Sequence, residues 1–167
     1  YSPAILQLYL DDFPVVLIDK KMKGIPVPSV RTDNKAATAA LVRALAEDGC
    51  RRIALFTTED TEAISVQERR NGFINEMERL GLTEAGICVL PSGGGKGALL
   101  DKEIRLACVD EDYLAPYGPA FLHVKQDEAA IAEKAVEVLL GRIAGGRDDN
   151  EVLIHGIYNH IKSKMDK

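Results

Sequence analysis

Three apolar runs end on polar side chains: Asp19 closes PVVLID, Thr57 closes RIALFT and Asp110 closes IRLACVD. Short β-branched runs read as buried parallel strands, and parallel sheets bind ligands at the carboxyl ends of their strands. Ser65 and Arg69 are four residues apart, which on a helix puts a hydroxyl and a guanidinium on one face. Each has a plainer use as well. Arg69 suits a surface pair with Glu68 or Glu76, and Ser65 suits a helix N-cap. Asp33 opens a helical stretch and suits either a cap or a ligand contact.

Other residues offer less. LPSGGGKGALL (residues 90–100) resembles a phosphate cradle at first sight, but Lys96 is followed by Gly97 and Ala98. A P-loop needs a Ser or Thr there to reach a metal, so flexible linker composition fits better. The three cysteines, Cys50, Cys88 and Cys108, include no C-x-x-C pair and read as small buried hydrophobes in a reducing compartment. His155 and His160 would lie on different faces of a helix, and His123 stands alone, so none is expected to hold a metal. No Gly-x-Ser-x-Gly elbow, metal-spaced ligand set or strand-linked Gly-x-Gly-x-x-Gly occurs. The expectation is a protein that is not an enzyme and carries neither cofactor nor metal.

The net charge of −5 argues against a nucleic-acid surface on this chain, since neutralising phosphates needs clustered Lys and Arg. No apolar run is long enough to span a bilayer, so no membrane partner is expected. The 167 residues can build one domain or two small lobes.

The pattern along the chain alternates. PAILQLYLDDF has a helical rhythm and residues 14–19 read as a strand. Residues 33–49 form an amphipathic helix that Asp33 or Asn34 can cap and Gly49 can stop. Strand 52–57, helix 65–82 and strand 86–90 follow. Beyond the glycines come strand 104–110, extended 121–126, helix 127–146 and a last strand, 151–158. Strands alternating with helices predict an α/β fold with parallel sheets.

The order of phrases resembles the effector-binding domain of LacI/GalR-type transcriptional regulators. PVVLID is followed by SVRTDN opening a helix, then EDGCRRIALF, then SVQERRNGF, IRLACVDE and FLHVKQDEAAIAEKAVEVLLGRIAGG. The resemblance implies a two-lobed fold of doubly wound parallel sheets, similar to the type I periplasmic binding proteins, with the ligand between the lobes. It assigns residues 1–30 and 126–150 to an N-terminal lobe, and residues 31–125 and 151–167 to a C-terminal one. The first strands of the N-terminal lobe, and further βα units between the strands at 86–90 and 104–110, have no counterpart here. Two such units would amount to about 60 residues.

The resemblance also implies a function. The effector would be a small molecule, a sugar, sensed in the cytoplasm by a homodimeric repressor. Operator DNA would be met only through a domain absent from this chain. The alternative is an extracytoplasmic sugar-binding protein that serves a transporter. A sugar presents hydroxyls, which suit the donor fork of a guanidinium and the paired acceptors of a carboxylate. By position in the family phrases, Arg69 would grip the ligand with Ser65 beside it, and Asp110, Asp19 and Asp33 would add contacts. Trp is absent and aromatics are 5% of residues, so stacking platforms are scarce.

Overall fold

Periodicity decides the type of most elements. The computed structural model describes residues 3–58, 63–82, 84–90, 106–109, 121–147 and 150–160. In chain order the elements are α1 (Pro3–Leu10), β1 (Leu17–Ile18), β2 (Ser29–Thr32), α2 (Asn34–Glu47), β3 (Ile53–Thr58), α3 (Ile64–Arg79), β4 (Glu84–Leu90), β5 (Leu106–Val109), β6 (Phe121–Lys125), α4 (Glu128–Ile143), β7 (Glu151–Ile154) and β8 (Ile157–His160). The glycine-rich segment and Asp110 lie outside the described residues.

The chain divides into two compact units. The first comprises Tyr1–Asp33 and Asp127–His155, and the second Asn34–Gln126 and Gly156–Lys167.

In the first unit, β2 lies between β1 and β7, and both pairings are parallel. β2 is the central strand, and Ser29, Val30, Arg31 and Thr32 are all buried, as expected where a parallel sheet is covered on both faces. Val30 packs with Ile131 and Ala135 of α4, which are four residues apart on one helix face. A second cluster, Leu17, Met22 and Val27, is covered by Ile5, Leu6 and Tyr9 of α1. Asp127 caps α4, its carboxylate accepting from the Ala130 N–H at 2.9 Å. β1 is shorter than the expected strand 14–19. Pro14 has no N–H to offer a ladder, and Asp19 adopts a left-handed φ of 54°, which ends the strand.

In the second unit, β3 and β4 form a parallel pair, and β5, β6 and β8 a three-stranded sheet. The core joins Ala37, Leu41, Val42 and Leu45 of α2 to Phe73 and Met77 of α3 and to Leu122 and Val124 of β6. Gly49 stops α2 as expected. At φ 88° its N–H donates to the Ala46 carbonyl, and the Cys50 N–H donates to that of Leu45. Among the described strands, β3 pairs only with β4 and β5 only with β6. Their residues 53–56 and 107–109 line one cavity of about 240 Å³, floored by Leu41 and Leu45.

Four expectations change. The run 151–158 is two strands: β7 is parallel to β2 in the first unit, and β8 is antiparallel to β6 in the second. The sheets are therefore not wholly parallel, and residues 31–33 and 151–155, expected with the C-terminal lobe, build the first unit, while Gln126, expected with the N-terminal lobe, falls in the second. The break falls at Gly156, where an added Cβ would meet Val124 Cγ1 at 2.3 Å and the Lys125 carbonyl oxygen at 3.0 Å. Cys88 is exposed and Cys108 only partly buried, so these two are not core hydrophobes, while the partly buried Cys50 packs against the α2 core. Cys88 is on β4, which has β3 on one side and no described strand on the other.

Candidate functional site

The second unit's site begins with a helix crossing. Gly72 of α3 lies so close to the start of α2 that an added Cβ would stand 2.4 Å from the Lys35 carbonyl oxygen. Only glycine permits that approach. One turn before Gly72, Arg69 reaches the first residue of α2, and its Nε donates to Asn34 Oδ1 at 2.8 Å. Asn34 is 2% exposed. Its carbonyl accepts from Thr38 Oγ1 at 3.0 Å, so the first turn of α2 is held from two sides.

This fixes Arg69 on the α2 side. Its bond to Asn34 replaces the surface pair with Glu76 that the sequence allowed. Glu76 is occupied by other partners, Arg43 Nε at 3.0 Å and Arg79 NH2 at 2.6 Å. The Arg79 hydrogen bond is the main influence holding the Glu76 carboxyl below the usual range, with Arg43 adding to it against the opposing effect of burial. Ser65 is the second residue of α3 and partly buried. The N-cap is Ala63, which makes no side-chain cap bond, so the capping use of Ser65 is corrected. One helical turn separates Ser65 from Arg69 on the same face.

Arg69 and Thr38 also border the 240 Å³ cavity, whose walls are mainly apolar. The polar groups of this unit's site therefore gather where α2 and α3 cross, beside an apolar wall.

In the first unit, Asp19 and Asp33 follow adjacent parallel strands, so both stand on the carboxyl edge of one sheet. Asp19 is exposed, and its N–H donates to the Val30 carbonyl at 3.0 Å. Asp33 is partly buried, and its N–H donates to the Ile154 carbonyl at 2.8 Å. The register that pairs Thr32 with Ile154 sets His155 level with Asp33 on that edge. Behind the edge, the buried Arg31 pairs with Glu151, which Lys21 Nζ also meets at 2.7 Å. Burial pushes the Glu151 carboxyl upward, but its bonds to Lys21 and Arg31 outweigh this and hold it below the usual range.

The structure thus brings Ser65 and Arg69 onto one helix face in the second unit, and Asp19 and Asp33 onto one sheet edge in the first. Asp110 lies outside the described residues. Two residues were missed as site members. Asn34 entered the sequence reading only as a possible cap, and His155 only as a histidine without metal spacing. Nothing local marks either one, because Asn34 acquires its role from Arg69, 35 residues away. Among the described residues no group of three or more His, Cys, Asp or Glu side chains could hold a metal, and no helix is long and apolar enough to cross a membrane.

The fold recurs in solved structures of regulators. One is Cra, a transcriptional dual regulator from Pseudomonas putida solved with fructose 1-phosphate: 17% identity, TM-score 0.74, covering 97% of this chain and 74% of that one. A LacI family transcriptional regulator from Enterococcus faecium with bound ribose matches at 18% identity and TM-score 0.72, covering 96% and 74%. A LacI transcriptional regulator from Lactobacillus brevis matches at 18% and TM-score 0.70, covering 95% and 75%. At these identities the likeness establishes the fold, that of the type I periplasmic binding proteins. No curated protein matches the chain. Residues 2–95, more than half of the chain, match the model described as periplasmic binding proteins and sugar binding domain of LacI family, and the chain belongs to that family.

Proposed function

We propose that this domain senses a small polyhydroxylated effector, a sugar or sugar phosphate, on behalf of a cytoplasmic, homodimeric, DNA-binding repressor. The observation that carries the reading is Arg69, held by a buried asparagine on the same helix face as Ser65. A preorganised guanidinium loses little side-chain freedom on meeting hydroxyls or a phosphate. Asp19, Asp33, Ser65, Arg69 and Asp110 are its proposed contacts, as the family resemblance implies. The domain acts by binding and not by catalysis. An effector shifts operator affinity only as far as it binds two conformations unequally. Operator contact belongs to a DNA-binding domain outside this chain.

The family also contains periplasmic binding proteins, which makes a transporter-linked role the second reading. The solved neighbours of this fold, transcriptional regulators, favour the first.

Calorimetric titration with a panel of monosaccharides and sugar phosphates, ribose and fructose 1-phosphate included, tests the proposal. Saturable binding that Arg69→Ala abolishes is expected. Absence of binding across the panel, or unchanged affinity in Arg69→Ala, overturns it.

A further inference from the structure

On the sheet of the second unit, the register pairs Cys108 of β5 with His123 of β6, and His123 with Asn159 of β8. Paired residues on neighbouring strands project to the same face. The flanking residues Ala107, Val109, Leu122 and Val124 pack into the α2 core, so Cys108 and His123 project from the opposite face. The thiol and the imidazole are therefore neighbours outside that core. His123 is 4% exposed, while Cys108 is partly exposed and borders the 240 Å³ cavity. Among the described residues, Lys125 is the other titratable side chain on this face. Tyr158 is on the α2 face, where Glu47 and Asp48 act on it.

Among the described residues, the strand register gives neither other cysteine such a neighbour. Cys88 pairs with Phe56 across β3 and β4, and Cys50 follows the end of α2.

We propose that Cys108 and His123 form a reactive thiol site that hydroperoxides oxidise. The imidazole acts as general base, accepting the thiol proton as the sulfur attacks, so the attacking sulfur gains the nucleophilic character of a thiolate. The sulfur attacks one peroxide oxygen, an S–O bond forms and the O–O bond breaks. The leaving group, hydroxide from hydrogen peroxide or alkoxide from an organic hydroperoxide, takes the proton held by His123 and departs as water or an alcohol. Sulfur is oxidised to sulfenic acid by two electrons, and the peroxide is reduced by the same two. This site is independent of the sugar-binding reading.

The three cysteines provide internal controls. Native protein is labelled with iodoacetamide over a pH series, and each cysteine is quantified by mass spectrometry. At about pH 6.5, Cys108 is expected to react on the order of tenfold faster than Cys88, although Cys88 is the more exposed. Dilute hydrogen peroxide followed by a sulfenic-acid trap should mark Cys108 first, and His123→Asn should bring its alkylation rate down to that of Cys88. A Cys108 rate below that of Cys88 throughout the series overturns the proposal, and this comparison needs only the wild-type chain. An unchanged Cys108 rate in a folded His123→Asn variant overturns it as well.

Discussion

Arg69 and Asn34, on different helices, are joined by a 2.8 Å hydrogen bond, and the asparagine is almost wholly buried. The bond ties the proposed ligand arginine to the packing of α2. Losing one partner of a buried bond to a charged group costs about 1–3 kcal/mol. Asn34→Ala should therefore lower stability by that amount in urea unfolding. It should weaken effector binding too, while Asn34→Asp, which keeps the acceptor, should retain both better.

The close approach at Gly72 predicts a second outcome. A methyl group 2.4 Å from the Lys35 carbonyl must push α2 and α3 apart. Gly72→Ala is expected to destabilise by about 1–3 kcal/mol, the usual cost of overpacking. Gly141→Ala is the control, because an added Cβ there meets nothing within 4 Å. Equal midpoints for the two variants in denaturant titration would contradict the crossing.

Glu151 serves Arg31 more than Lys21. The Arg31 side chain is 4% exposed and that of Lys21 41%. Glu151→Ala removes a carboxylate from a buried guanidinium and should cost clearly more than a surface pair does. Lys21→Ala should cost no more than about 1 kcal/mol, as for surface pairs. Thermal unfolding of the two variants separates the cases.

Glu76 predicts a pH dependence. Its carboxyl is held below the ordinary value of 4.5 in the folded chain. Its contribution is thus complete above 4.5 and disappears as pH falls through the lower, folded value. Glu76→Gln should be less stable than wild type at neutral pH, and the gap should close in acid. Unfolding midpoints measured across that range check the sign. A gap that stays constant into acid would show that the two arginines do not act on this carboxyl.

Much of the fold was legible because it is local. The four-residue apolar spacing of Ala37, Leu41 and Leu45 marks a helix whatever surrounds it, and so does the capped start of α4. EVLIHGIY shows where that logic stops. Its apolar pattern is continuous, yet β7 and β8 find partners in different units, and the break depends on how closely Gly156 lies to Val124. Ser65 misled in the same way. A serine at the head of a helix reads as a cap, but the helix starts one residue earlier, at Ile64.

The sequence by itself determined the types of most elements, their order and the family phrases that singled out Ser65, Arg69 and the strand-end aspartates. These are properties of neighbours along the chain. Tertiary structure alone decided which polar side chains meet, Arg69 with Asn34 across 35 positions and Arg31 with Glu151 across 120, and which strand register sets Cys108 opposite His123. Such pairings depend on how far chain-distant elements are brought together by core packing, and no local pattern encodes that distance.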